Sequence, residues 1–274
     1  MKTILISGAN GFIATSFMTH FSGKYNFIKL SHEPKSGHVT LDELDANEEL
    51  LKSVDAVINL TGANIGARRW SIARRNELLV SRVKTTLELT VLFNKVGAKA
   101  HFISASAVGV YPPDQENDEY TVINYEEFTN FSQQLTRQWE HTALMYKGKL
   151  TITRFGVVLG GHGGAFPRML KPFLFYMGGP LGSGVQKFPW ISLIDLLNAL
   201  DYILETTNTG VYNLVAPQII TNDQLAGQIS VTWHRPNLFR MSESMIKLIF
   251  GQMGQELFLN SLCVSPKRLL AESF

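Results

Sequence analysis

The segment Gly8-Ala9-Asn10-Gly11-Phe12-Ile13-Ala14 constrains this chain more than any other. It directly follows the apolar run Thr3–Ser7 and opens the helical pattern Phe12–His20. Such a turn has a physical purpose. Gly8 permits a tight reversal. Gly11 lacks a Cβ, so the backbone can approach a pyrophosphate. The free N–H groups at the helix start then hold the anion, and Ala14 is small enough for close helix–strand packing. A strand-to-helix turn without a ligand could look the same. Its place after the first strand of an alternating chain favours a dinucleotide.

That alternation runs through the first 160 residues. Strand-like runs at Thr3–Ser7, Phe27–Leu30, Ala56–Leu60, His101–Ser104 and Leu150–Arg154 are separated by helical patterns at Phe12–His20, Ile72–Val96 and Asn130–Tyr146. The pattern predicts βαβ units and a parallel sheet. Leu41–Leu51 is polar and reads as a short helix or an irregular crossover. Beyond Phe155 the texture changes. Glycine-rich stretches at Gly160–Gly164 and Gly178–Gly184 flank the apolar segment Phe166–Met177. Ser192 and Thr221 read as N-caps of helices Ser192–Glu205 and Asn222–Ser230, with a strand at Val211–Val215 between them. The fold class is therefore α/β: a Rossmann doubly wound parallel sheet over residues 1–160. A smaller α+β lobe, residues 161–274, is interleaved with it.

The end of the second strand bears on the choice between NAD and NADP. An acid there binds the ribose 2′-hydroxyl and repels a 2′-phosphate. The sequence reads Leu30-Ser31-His32-Glu33-Pro34-Lys35, with no acid at the tip itself. Ser31, His32 and Lys35 could accept a phosphate, although Glu33 counts against it. The reading leans to NADP, with NAD open, and Lys35 could equally be a solvated loop residue.

At Gly8–Ala14 the chain resembles the extended short-chain dehydrogenase/reductase superfamily. Further motifs narrow the resemblance to an atypical subgroup labelled "epimerase family protein". They are Ile58-Asn59-Leu60-Thr61-Gly62-Ala63-Asn64-Ile65 with Arg69-Trp70, Ser81-Arg82-Val83, Ser104-Ala105-Ser106-Ala107-Val108-Gly109 with Tyr111, and Arg154-Phe155-Gly156-Val157-Val158-Leu159-Gly160. Gly178–Gly184, Trp190-Ile191 with Asp195, Tyr212-Asn213-Leu214 with Pro217, Arg235-Pro236 and Pro266-Lys267-Arg268-Leu269 extend it over almost the whole chain. The resemblance implies that the cofactor lies along Gly8, Asn10, Gly11, Phe12, Ile13, Ser31, His32, Leu60, Thr61, Gly62, Arg82, Ser104 and Ala105, with the small lobe closing over a substrate.

Extended members of that superfamily use a Ser or Thr to orient the substrate oxygen. A Tyr moves the proton, and a Lys lowers the Tyr pKa and holds the ribose, a general acid–base device. Ser106 matches the Ser. By the family's spacing, Phe131 falls where the Tyr should be and Leu135 where the Lys should be. Neither can perform those roles. Tyr111 could face the nicotinamide instead, or be a hydrogen-bonded structural tyrosine. Arg69 could grip a carboxylate or phosphate and Trp70 could stack on a ring, or the two could merely anchor a surface loop. Arg154 ends a strand, where ligands gather, yet could equally be an ion-pair partner. Gly178–Gly184, with Gly182, could form a mobile lid over the substrate.

Composition excludes other classes. Charged residues make up 18% and the net charge is +2, so nothing marks a nucleic-acid partner. No apolar stretch approaches the ~20 residues of a membrane span. One cysteine, Cys263, fits a reducing compartment, and the expected location is cytoplasmic. His162 and His234 lack partners at metal-ligand spacing, so no metal is expected. The expected partner is a small molecule, with a monomer or a homodimer. Three functions remain open: an NADP-dependent oxidoreductase, a non-catalytic NADP(H) sensor or scaffold, and a nucleotide-sugar epimerase.

Overall fold

The computed structural model describes residues 1–126, 128 and 130–274. Its first part runs β1 (Thr3–Ser7), α1 (Phe12–His20), β2 (Asn26–Lys29), α2 (Leu41–Asp45), α3 (Glu48–Ser53), β3 (Ala56–Asn59), α4 (Ile72–Lys95), β4 (His101–Ala107), β5 (Glu116–Asn117), α5 (Phe131–Ala143) and β6 (Leu150–Phe155). The second part runs β7 (Val157–Gly160), β8 (Gly163–Gly164), α6 (Phe166–Leu174), β9 (Lys187–Phe188), β10 (Trp190–Ser192), α7 (Leu193–Thr206), β11 (Gly210–Leu214), β12 (Ile220–Thr221), α8 (Asn222–Trp233), α9 (Glu243–Phe250), α10 (Gln252–Gly254), β13 (Cys263–Val264) and α11 (Lys267–Ala271).

Six strands pair in parallel in the order β11-β6-β4-β3-β1-β2. Beyond β2 a lone parallel bridge joins Leu30 to Val39. The order reverses at β1, so the crevice at a topological switch point opens at the turn after Ser7. Alternate residues face opposite layers, as the pleat requires. Ile4, Ile6, Ile58 and Ile103 pack with α1 and with Leu196, Leu200 and Ile203 of α7. Leu5, Val57 and Phe102 pack with Leu89 and Phe93 of α4 and with Leu44 and Leu51 of the two short helices.

The predicted caps hold. Ser192 Oγ accepts from Asp195 N, and Thr221 and Gln224 form a capping box. β7 follows β6 after Gly156 and pairs with β10 and β8, while α6 packs on α8 through Phe173, Leu225 and Ile229. α7 and β11 return to the main sheet and its helical layer, so the smaller lobe is threaded through the larger. β4 runs to Ala107 and not to Ser104, which places Ser106 inside the strand. Among the described residues no helix is long and apolar enough to cross a membrane.

Candidate functional site

The turn after β1 is built around glycine for two measurable reasons. Gly8 sits at φ +65°, and a Cβ there would lie 2.8 Å from the Leu60 carbonyl oxygen. Gly11 N donates to Gly8 O at 2.7 Å, and a Cβ on Gly11 would lie 3.0 Å from that same oxygen. Gly11 N-caps α1 without a side-chain partner and no acid lies in the first turn, so the helix start presents bare N–H groups. Phe12 fixes the turn from the other side. A Cβ on Gly160, Gly163 or Gly164 would collide with its ring, so the β7–β8 hairpin clasps it. Ile13 leans on the core beside it, and Asn10 is exposed.

Beneath the turn runs a buried polar ladder. Ser7 Oγ donates to Asn59 Oδ1 at 2.6 Å, Thr61 Oγ1 to Ser7 Oγ at 2.7 Å, and Asn59 Nδ2 to Thr86 Oγ1 at 2.8 Å. The Thr61 hydroxyl is thus an internal strut of this ladder. Ser104 and Ala105 are buried likewise within β4. Leu60 is half-buried and Gly62 exposed at the strand ends. A Cβ on Gly62 would meet the Arg82 Cζ at 2.9 Å. Arg82 donates to the carbonyls of Leu78 (3.0 Å) and Ala63 (3.1 Å), and its guanidinium lies 5.1 Å from the Trp139 ring centre. Burial, with repulsion from Arg74 second, holds its pKa down to about 10, which leaves it charged at neutral pH. At the tip of β2, Ser31 is half-buried and His32 exposed, and Lys35 Nζ donates to Asn10 Oδ1 at 2.9 Å.

Three expected site residues are committed elsewhere. Ser106 Oγ donates to Glu140 Oε1 at 2.6 Å. Arg154 grips the same carboxylate with both arms, Nε to Oε1 at 2.8 Å and Nη2 to Oε2 at 2.7 Å. Burial alone would lower the Arg154 pKa, but the Glu140 bond and charge outweigh it and raise it. Tyr111, 1% exposed, lies with its ring 4.8 Å from the Arg154 guanidinium and donates its hydroxyl to Asn213 Oδ1 at 2.8 Å. Its pKa is raised, because burial lifts it more than the Arg154 charge lowers it. Ser106, Tyr111 and Arg154 therefore form a closed, buried network, in which each of these expected site side chains already has a partner.

Trp70 is likewise committed to partners within the chain. Its indole N–H donates to Ile65 O at 2.9 Å, and its ring meets Phe131 edge-on at 5.0 Å, so it is a buried wall and not a free stacking platform. Leu135 is buried in the same cluster with Leu78 and Met253. Gly182 is buried at φ +58°, and its N–H donates to Met241 O at 2.8 Å. Leu238 N, Phe239 N and Met241 N donate back to Gly178 and Pro180, so the expected lid is a tied-down segment. Arg69 alone of the expected substrate residues is exposed.

Two carboxylates escaped the sequence reading. Glu140 lies on α5 among its polar residues and was not singled out. Glu256 caps α5 from the other lobe, accepting from Phe131 N (3.0 Å) and from Ser132 N (2.8 Å) and Oγ (2.7 Å). No spacing signal links it to Phe131, 125 residues earlier. A concavity of about 650 Å³ lies between α6 and α8, with Trp190 and Trp233 on its walls. Among the described residues no cluster of His, Cys, Asp and Glu could hold a metal.

The NAD dependent epimerase/dehydratase family matches residues 4–214 of this chain. The mouse epimerase family protein SDR39U1 is 36% identical over 99% of this chain and 94% of its own length. The Staphylococcus saprophyticus epimerase family protein SSP1921 is 32% identical over 100% of this chain and 95% of its own. The crystal structure of human SDR39U1 isoform 2 with NADPH superposes with a TM-score of 0.92 at 33% identity, covering 99% of this chain and 94% of that one. A nucleoside-diphosphate sugar epimerase from Corynebacterium glutamicum gives a TM-score of 0.77 at 26% identity, covering 99% of this chain and 54% of that one.

Proposed function

The chain belongs to the NAD-dependent epimerase/dehydratase family, and on that premise we propose that it binds NADPH across the C-terminal ends of the parallel sheet and uses it to reduce or oxidise a small molecule. The observation that carries the reading is the reach of Lys35 to Asn10 at 2.9 Å, which sets a cation beside the glycine-rich turn. His32 lies three residues before Lys35 in the loop after β2, and no acid occupies the strand tip, the chemistry a 2′-phosphate asks for. The human relative with NADPH bound supports the same choice. Gly11 and the first N–H groups of α1 would hold the pyrophosphate, and Arg82 would add positive charge beneath Gly62. The nicotinamide, when bound, supplies or takes up the hydride. With Ser106 and Tyr111 committed to buried partners, and Phe131 and Leu135 in place of the proton-moving pair, the proton exchanged with a substrate oxygen comes from solvent. The single cysteine, Cys263, supports a reducing compartment such as the cytoplasm.

The test is a titration with NADPH and with NADH, followed by quenching of the tryptophan fluorescence. It is then followed by NADPH consumption against a panel of carbonyl compounds. Saturable NADPH binding at least tenfold tighter than NADH is expected, with slow turnover of some carbonyl. Equal binding of both cofactors would refute the phosphate role of Lys35 and His32. A second reading, a reporter of NADPH without turnover, is favoured by the burial of Ser106 and Tyr111. It predicts tight binding and no consumption across the whole panel. Nucleotide-sugar epimerisation ranks below both, because its proton steps need the pair that Phe131 and Leu135 replace.

A further inference from the structure

The smaller lobe carries apolar side chains that the fold leaves uncovered. Phe175, Tyr176 and Met177, in the turn that closes α6, are 62%, 56% and 61% exposed. Leu238 and Phe239, on the stretch after α8, are 78% and 59% exposed. The two stretches adjoin. Leu238 N and Phe239 N both donate to Gly178 O, at 3.2 and 3.1 Å, and the Arg235 guanidinium lies 4.8 Å from the Tyr176 ring centre. The turn itself is fixed by its backbone. Tyr176 N donates to Phe173 O and Met177 N to Pro172 O, both at 2.9 Å, and Tyr176 holds φ +61°, a costly value for a residue with a bulky side chain. Single exposed apolar residues are ordinary, but five on two adjoining stretches mark an interaction surface.

The charge on these stretches has one sign. No acid lies between Glu140 and Asp195, or between Asp223 and Glu243, the segments from which both stretches come. The acids that bound the second segment are already paired, Asp223 with Arg240 at 3.3 Å and Glu243 with Lys247 at 3.8 Å. Arg168 and Lys171 on α6, and Arg235, have no ion pair among the described residues. Exposed rings and aliphatic chains beside unpaired cations suit an anionic bilayer. The apolar groups enter at headgroup depth, and the cations meet lipid phosphates and carboxylates. A second copy suits the face less well, because a two-fold contact would press one cationic patch against another. We propose that this face docks the protein on an anionic lipid surface, with Phe175, Tyr176, Met177, Leu238 and Phe239 in the headgroup layer and Lys171 and Arg235 on the lipid anions. Docking of this kind needs no membrane-spanning stretch. It is independent of the proposed cofactor chemistry.

The experiment is co-sedimentation of the full chain with vesicles of about 3:1 phosphatidylcholine to phosphatidylserine, set against vesicles of phosphatidylcholine alone. Binding to the anionic vesicles only is expected, and about 0.5 M salt should release most of it. Phe175→Ser/Phe239→Ser should weaken the binding by about tenfold or more. Lys171→Glu should weaken it by roughly tenfold. Both should keep the circular dichroism and melting temperature of the natural chain, since the side chains changed are exposed. Lys171→Glu leaves every apolar contact in place, so it carries the test alone if the serine pair folds poorly. Val122→Ser, at a site 91% exposed outside the patch, should change nothing. Equal binding to both kinds of vesicle, binding to neither, or undiminished binding by the variants overturns the proposal. Self-association of the natural chain in analytical ultracentrifugation, abolished by the serine pair, overturns it too, because a second copy would then cover the face.

Discussion

Replacing Glu140 by glutamine changes one oxygen into an NH2 and leaves the shape intact. In the native chain that carboxylate is 5% exposed and bonded by Ser106 and by both arms of Arg154, itself 5% exposed. Glu140→Gln therefore leaves a guanidinium shut away from water with an NH2 facing one of its arms. Breaking a buried pair from one side costs about 3–5 kcal/mol. With an unfolding entropy of ~2.1 cal/mol/K per residue, that loss lowers the melting temperature by about 5–9 °C for a chain of 274 residues. Urea unfolding followed by circular dichroism measures it, with an unchanged m-value showing that the unfolded reference has not moved. Adding Arg154→Met removes the stranded charge and should recover most of the loss. NADPH affinity should stay within twofold in both variants, because the network faces inward. A loss below about 1 kcal/mol, or a double variant no better than the single one, would refute the claim that Ser106, Glu140 and Arg154 form a desolvated structural unit.

Gly8→Ala must take φ +65° with a Cβ 2.8 Å from the Leu60 oxygen. It should cost at least about 1–2 kcal/mol from the backbone alone and abolish NADPH binding, and fluorescence titration of the soluble variant checks this. Glu256→Ala should strip the acceptor from the first two N–H groups of α5 at about 1–2 kcal/mol, while Asn130 still caps Gln133 N, and hydrogen exchange at Phe131 and Ser132 should speed up; unchanged protection would refute the role of Glu256 there. Burial, then the Lys149 and Lys2 charges, push the His101 pKa down to about 4. Because the folded value lies below the unfolded one near 6.5, the stabilising contribution is complete above pH ~6.5 and is lost as pH falls toward 4, by up to about 3 kcal/mol. His101→Gln should flatten that slope, and the imidazole proton shift in NMR should place the midpoint directly.

Much of the scaffold was legible because it depends on local signals. The strand at Thr3–Ser7, the turn at Gly8–Gly11 and the caps at Ser192 and Thr221 each carry their reason within a few residues. The partners of the buried polar residues were not legible, and for a different reason. Ser106 and Arg154 stand at the expected strands, but register places them side by side on β4 and β6 with Glu140 of α5 over them. A sequence gives a residue's strand, not which carboxylate will lie above it. Nor does any spacing signal link Tyr111 to Asn213, 102 residues away. Gly178–Gly184 misled through composition: glycine there permits buried, close packing against Leu259 and Phe239, which leaves the same mark in a sequence as a mobile loop.

The edge position of β11 has a consequence for how the chain must be made. A parallel sheet closes only when its last strand arrives, and this one arrives at Gly210–Leu214, after the ribosome has already delivered β6 and the threaded segment between them. Until then Leu150–Phe155 offers a bare row of amide and carbonyl groups to any neighbouring chain. A fragment ending at residue 160 would keep that edge exposed permanently, and aggregation is the expected fate of such an edge. The two lobes are therefore one unit of biosynthesis, and expression trials should keep them together.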